Sequence, residues 1–458
     1  MRVVIIGAGP TGLGAAWQLQ ASGTEWELYE SESQAGGLSA SFMADGFTWD
    51  IGGHILFSHY PEFIEILQKV MGMDAWLKHP RRSFIRYRER WVPYPFQNNL
   101  RYLPDAERAA CLKDLDQVDV QGRLNPKAWP DFQSLLVGTM GAALARLFMV
   151  PYNTKVWGYP PDRMSTDWIG ERVAVPDVAR IRRMIEEQRD DAGWGPNAVF
   201  HFPRHGGTGA IWKAVTRALP AERLHWNSPV VAIDAEHHVF RLFDGRQVKY
   251  DVLISTMPLT RLVTVAGLTD LQQYAARLLH TSTHVIGMGF RGMPAAAAAD
   301  KSWLYFGEAE YPFYRVTVFS NYSANNAPDG HHSFMAEVSE SAARPVDPAK
   351  LAERCVDGLR RAGLVPADAM PVHVWQKRIE FSYPVPGLER DSMLAELNPV
   401  LERREIYSRG RFGAWKYEVG NMDHSFMQGV EIGRRILTGE PEKTVTTPDV
   451  VNRTVVPW

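Results

Sequence analysis

Cysteine is almost missing from this chain: 458 residues carry two, Cys111 and Cys355. Two thiols build no disulfide framework, and their separation fits no metal spacing. A reducing compartment, the cytoplasm, is therefore expected, with no metal. Charge of one sign is lacking too. Lys and Arg total 50 against 52 Asp and Glu, a formal net charge of −2, so no basic field awaits nucleic acid and no acidic tail is present. No apolar run is long enough to span a bilayer. The first apolar strand begins at residue 2, so no signal peptide and no membrane partner are expected. GxSxG, HExxH and Walker patterns are absent, which leaves no argument for a hydrolase triad, a zincin or a P-loop. No second clear GxGxxG fingerprint appears, so a separate nicotinamide domain is not expected, and no internal repeat is found.

What is present begins at once. The apolar run Arg2-Val3-Val4-Ile5-Ile6 reads as a buried parallel strand. The turn Gly7-Ala8-Gly9-Pro10-Thr11-Gly12 follows and opens into a helix pattern. Glu30 ends the next strand, 18 positions after Gly12. Strand, glycine turn, helix and acid form a dinucleotide fingerprint. The glycines let backbone approach a pyrophosphate at the helix N-terminus, and the acid takes a ribose hydroxyl. The length allows two or three domains. Fifteen Trp and sixteen Tyr serve mostly as core, and some suit a cleft for a ring-shaped ligand.

Along the chain, Pro61 to Met71 reads as a helix stopped by Gly72. Phe84 to Val92 reads as a hairpin. Pro104 to Asp191 is mainly helical, most clearly over Asp131 to Met149 and Asp177 to Glu187. Val230 to Ile254 reads as a meander turning at Asp244-Gly245. Strands are expected over His284 to Phe290, Trp303 to Phe306, Tyr314 to Ser320 and Ser333 to Val338. A helix from Asp423 to Leu437 closes the chain. The order implies interleaved domains, with boundaries at 1–80, 81–194, 195–280, 281–400 and 401–458.

Several clusters exceed what packing requires. Gly36-Gly37-Leu38-Ser39 suits a second pass of backbone against a pyrophosphate, or is a loop. Gly52-Gly53-His54 lets a peptide approach a flat ligand, or His54 is a structural histidine. Tyr94-Pro95-Phe96-Gln97-Asn98-Asn99 reads either as a uracil reader, amide beside ring, or as a proline turn with Asn caps. Asn153 and Trp157 share a helical face. Gly206-Gly207-Thr208-Gly209 is an anion-facing turn or a simple cap. Arg172, Arg315, Arg409 and Arg411 are surface residues or phosphate clamps. Tyr305, Tyr314, Tyr383 and Tyr417 donate to the same phosphates or sit in the core.

The first turn with Glu30, and Tyr250 to Thr256 as a closing strand, resemble FAD-binding flavoproteins of the amine-oxidase type. Longer strings are similar to the UDP-galactopyranose mutases of fungi and protozoan parasites. They include Gly52 to Tyr60, Trp91 to Asn99, Gly170 to Val173, Gly195-Pro196-Asn197 and Phe202 to Trp212. Ser282 to Gly287, Trp303 to Phe306, Pro312 to Arg315, Ser408 to Gly413 and Tyr417 to Asn421 continue the likeness over nearly the whole chain.

The resemblance implies an α/β fold in which a Rossmann-like FAD-binding domain is interleaved with a helical domain and an antiparallel β-sheet domain. It implies an isomerase that interconverts the pyranose and furanose forms of UDP-galactose with no net redox. In that family the reduced flavin N5 attacks the anomeric carbon. Gly7, Gly9, Gly12, Glu30, Gly37, Leu38, Ser39, Gly53, His54, Asn421 and Met422 would hold FAD. Tyr94, Phe96, Gln97, Asn153 and Trp157 would hold uridine. Arg315 would neutralise the pyrophosphate, aided by Tyr305, Tyr383 and Tyr417. Arg172, Asn197, Trp303, Arg411 and Asn421 would surround the sugar. Gly53, His54, Arg172 and Arg315 would be the catalytic set. NADPH is implied as a reductant in the same cleft, with Arg81 and Ser83 matching positions implicated there, and a homo-oligomer is compatible. Met422 stands where fungal members carry a polar amide, and the stretch near Asn325 is shorter. The alternatives are a mutase for another nucleotide sugar, an amine oxidase or desaturase with an apolar cleft, and a non-enzymatic UDP-sugar sensor.

Overall fold

The computed structural model describes residues 1–118, 125 and 128–458. Arg2–Ile6, with Val3, Val4 and Ile5 fully buried, is the central strand of a five-stranded parallel sheet. Its neighbours are Glu25–Tyr29 on one side and Val252–Ser255 on the other, in register Val3 to Trp26 and Val3 to Val252. Leu224–His225 and Ile406–Ser408 are the edges. Strands on either side of the helical region and near the end of the chain thus join one sheet. A parallel pairing needs a long crossover, and the crossovers here carry the other layers.

One face of the sheet is covered by two helices, Pro10–Ala21 and Met422–Thr438. They touch through glycine. A Cβ on Gly14 would lie 2.1 Å from the Phe426 carbonyl oxygen, and one on Gly429 would lie 1.9 Å from the Thr11 carbonyl oxygen. Asp131 and Asp177 cap helices as their types favour, accepting from Ser134 N–H at 2.7 Å and Arg180 N–H at 3.0 Å. The expected helix over Asp131 to Met149 is broken: Phe132–Met140 ends at Gly141, whose φ of 82° is left-handed, and a second helical run reaches Trp157. Part of the helical stretch expected from Pro104 to Asp191 lies outside the described residues.

The second large layer is a seven-stranded sheet in the order His373–Pro384, His280–Arg291, His331–Glu340, Arg315–Val318, Trp303–Phe306, Ser83–Tyr87 and Arg90–Pro93. Every pairing is antiparallel except that of Trp303–Phe306 with Ser83–Tyr87. The Ser83–Pro93 hairpin therefore belongs to this sheet, and its pairing joins the expected 81–194 segment to the expected 281–400 segment. His373–Pro384 was not foreseen. It is an edge strand carrying Lys377, Arg378 and Glu380, the polar composition that guards sheet edges and hides them from hydrophobic pattern. The meander is Val230–Asp234, Val239–Leu242 and Gln247–Lys249, while Val252–Ser255 leaves it for the parallel sheet.

Among the described residues no helix is long and apolar enough to cross a membrane. The helix contact yields a stability prediction. Gly429→Ala forces backbone against backbone, a loss of about 1–3 kcal/mol, which a denaturant titration reads as a lower midpoint. An unchanged midpoint would mean that the two helices separate at no cost.

A two-ended candidate active site

One cavity of about 870 Å³ runs between the two sheets. This is at the upper end of ordinary ligand pockets, about 300–1,000 Å³. Its first end is built on the tip of the parallel sheet. Gly7 has φ of 102°, and a Cβ there would lie 2.1 Å from Thr256 Oγ1, so only glycine fits this turn. Gly9 and Gly37 face one another: a Cβ on Gly37 would sit 3.2 Å from the Gly9 Cα. Side chains would fill this cradle, and their absence is what a pyrophosphate needs. The Glu30 carboxylate accepts from Ala8 N–H at 2.6 Å and Glu32 N–H at 2.9 Å, which fixes it beside the turn. Leu38 and Ser39 complete this wall, and Asn421 and Met422 bring the start of the Met422–Thr438 helix to it. The residues present therefore fit a dinucleotide.

Gly12 lies outside the cavity. A Cβ there would be 1.8 Å from the Gly7 carbonyl oxygen, so this glycine allows helix and turn to pack.

The second end is aromatic and cationic. Tyr94, Trp303, Tyr305, Tyr383 and Tyr417 line it with Arg172, Asn197, Arg315 and Arg411. The Arg172 guanidinium lies 5.2 Å above the Tyr417 ring, and both its terminal nitrogens are buried without a hydrogen-bond partner. Arg411 lies 4.9 Å from the Tyr383 ring centre and donates only to carbonyls, Nε to Ser382 at 2.9 Å and Nη1 to Gly420 at 2.9 Å. Burial lowers its guanidinium from the usual value. Two buried cations without carboxylate partners carry charge that a bound anion would neutralise, because unpaired buried charge is costly.

Gly53 and His54 join the two ends. Burial lowers the His54 imidazole to about 4, so it is neutral at physiological pH. Its Nδ1 is buried without a partner.

Four residues expected around a uridine do not reach the cavity. Phe96 stacks on Phe148 at 4.5 Å, Phe148 on Tyr152, and Tyr152 meets the lining ring of Tyr305 edge-on. Gln97 is buried and its amide donates to the Ala174 carbonyl at 2.8 Å. Asn153 donates to Met149 O of its own helix at 2.8 Å. Trp157 packs edge-on to Tyr417 at 4.8 Å. These side chains form a shell behind the wall. Arg81 is buried as well. It lies 4.8 Å from the Tyr94 ring centre and donates to Asn197 Oδ1 at 2.5 Å, so it clamps the segment carrying Asn197.

Two acids escaped sequence reading. Glu337 is 2% exposed and pairs with Arg315 through two bonds of 2.7 Å. An acid between Ala336 and Val338 in an apolar strand was the available signal. Asp423 lines the cavity and accepts from His59 N–H at 3.0 Å, with the His59 ring Nδ1 at 2.9 Å. Burial opposes its ionisation, but His424 and His59 outweigh this and hold the carboxyl below the ordinary range.

The unpaired guanidinium is testable with a simple anion. Arg172→Ala should weaken inorganic pyrophosphate about tenfold, the loss of a charged hydrogen bond. Calorimetry reads this directly, and unchanged affinity would remove Arg172 from the anion site.

The flavin containing amine oxidoreductase family matches residues 10–437. Among curated relatives, 4,4'-diapophytoene desaturase of Staphylococcus haemolyticus is 43% identical over 56 residues, 12% of this chain and 11% of that protein. Protoporphyrinogen oxidase 2 of Arabidopsis thaliana is 30% identical over 91 residues, 20% of this chain and 17% of its own length. The chain thus matches less than a fifth of either relative. Among solved structures, a reduced UDP-galactopyranose mutase superposes with a TM-score of 0.94 at 46% identity, covering 99% of this chain and 97% of that one. Cyclohexylamine oxidase of Brevibacterium oxydans shares the fold, with a TM-score of 0.66 at 17% identity and 95% and 98% coverage. A glycine cradle at one end, a cationic aromatic lobe at the other and near-complete superposition lead to one assignment: the chain belongs to the flavin-containing amine oxidoreductase family and, within it, to the UDP-galactopyranose mutases.

Proposed function

We propose that this protein is a flavin-dependent mutase that interconverts UDP-galactopyranose and UDP-galactofuranose. The observation that carries this reading is the cavity itself. A cradle for a dinucleotide opens without a break into a lobe holding Arg172 and Arg411, both without carboxylate partners. The 46% identity to a mutase over nearly the whole chain supports the substrate class.

In this reading Gly9, Gly37, Leu38 and Ser39 would hold the FAD pyrophosphate, Glu30 its ribose, and Gly53, Asn421 and Met422 its ring. Reduced FAD, when bound, supplies a nucleophilic N5 for the anomeric carbon, so ring opening and reclosure need no net redox. The protein's part is placement. The Gly53 carbonyl would accept a hydrogen bond from the reduced N5–H. His54 is neutral and adds no competing charge. The Met422–Thr438 helix turns its positive end toward an anionic ring. Arg315, with the hydroxyls of Tyr305, Tyr383 and Tyr417, takes up the charge of the departing diphosphate. Arg172, Asn197, Trp303, Arg411 and Asn421 enclose the sugar.

Uridine lies against Tyr94 and Tyr305. Phe96, Gln97, Asn153 and Trp157 support that wall in the closed packing seen here, and Gln97 reaches a uracil only by releasing the Ala174 carbonyl. NADPH is the proposed reductant and the cytoplasm the proposed site, in keeping with two buried free thiols. An oxidase of apolar substrates has no use for the unpaired guanidiniums.

The test is anaerobic. Purified flavoprotein reduced with dithionite should convert UDP-galactofuranose to UDP-galactopyranose, and oxidised protein should not. Conversion in neither state would overturn the reading. Arg315→Ala should keep FAD, lose most of the conversion and weaken UDP. Unchanged UDP affinity would remove Arg315 from the diphosphate.

A further inference from the structure

The Glu337 carboxylate stands in the cavity wall and accepts four hydrogen bonds. It sits on His331–Glu340, whose neighbouring Ala336 and Val338 are buried. Four donors converge on it. Gly53 N–H donates to Oε1 at 3.1 Å and the Tyr314 hydroxyl to Oε2 at 2.7 Å. Arg315 gives Nε to Oε1 and Nη2 to Oε2, each at 2.7 Å. Arg315 is also its direct cross-strand partner. A carboxylate has about four acceptor sites, so none is left for a ligand.

The consequence for Arg315 is geometric. Its Nε edge is spent on Glu337, and the Nη1 end stays available for an anion. The consequence for Gly53 is similar. Its backbone is pressed on the sheet, since a Cβ there would lie 2.2 Å from Thr317 Oγ1. Thr317 is two residues along the strand from Arg315, and so on the same face. A Cβ on Gly52, whose φ is 89°, would meet the Glu337 carboxyl carbon at 3.2 Å. Burial favours the neutral carboxyl, but the Arg315 charge outweighs it and keeps Glu337 ionised.

We propose that Glu337 is a positioning residue that locks the Gly53 peptide and the Arg315 guanidinium into one frame, fixing the spacing between the flavin end and the phosphate end. This rests on the functional reading above. Glu337 lines the cavity with its acceptor sites filled and acts through the two groups it holds.

The test uses FAD-loaded protein and UDP as the probe. Glu337→Gln keeps the shape and removes the charge that pairs with Arg315. UDP affinity by calorimetry should fall about tenfold, while Glu337→Gln added to Arg315→Ala should cost nothing more, because two residues acting as one unit are non-additive. The midpoint potential of bound FAD should also shift, through Gly53. Equal UDP losses in both backgrounds, or an unshifted potential, would overturn the proposal. Should Glu337→Gln lose its FAD, Glu337→Asp, which keeps the charge and shortens the reach, is read in the same way. Wild-type protein that binds FAD but not UDP would instead sink the functional reading, and the phosphate half of this inference with it.

Discussion

Two helices from opposite ends of the chain, Pro10–Ala21 and Met422–Thr438, come into backbone contact, and the cavity depends on that contact. Gly14 and Gly429 leave no side chain between them. Gly9 and Asn421 therefore stand in one cavity wall although more than four hundred residues separate them in sequence. Any larger residue at these glycines would move the start of the Met422–Thr438 helix away from the glycine turn. The parallel sheet, the cradle and the positive end of the Met422–Thr438 helix share this one constraint.

The second end of the cavity is organised by electrostatics. Buried guanidiniums are tolerated only with partners, and here the partners are unequal. Arg315 is neutralised by Glu337, Arg411 is held by carbonyls, and Arg172 has ring faces but no hydrogen bonds at its terminal nitrogens. That gradient makes the lobe receptive to anions while a fixed frame surrounds it. Arg409, which looked similar in sequence, is spent elsewhere: Glu402 and Glu442 bind it in a buried network outside the cavity.

Much of the candidate site was legible in the chain. The strand, glycine turn and acid at residues 2 to 30 state their local geometry directly, because φ/ψ freedom and helix-end chemistry act within a few residues. Gly53-His54 and the Arg and Tyr positions stood out by type. The shell residues Phe96, Gln97, Asn153 and Trp157 did not declare their depth. An amide next to a ring reads alike whether it faces a ligand or a carbonyl such as that of Ala174. Edge strand His373–Pro384 was hidden by its polar composition, and the partners of Glu337 by distance, since Gly53 lies 284 residues away in sequence.

The sequence by itself determined the nucleotide-binding start, the segment order, most helices and strands, and the family resemblance, since these follow from periodicity, turn chemistry and local strings. Only the tertiary structure decided that residues 9 and 421 line one cavity, that the Ser83–Pro93 hairpin joins the later sheet, and that Gly53, Tyr314 and Arg315 converge on Glu337. Those placements come from contacts between segments far apart in the chain. They are selected by close packing and by the cost of leaving a buried charge unpaired, and neither cost is written in any local stretch of residues.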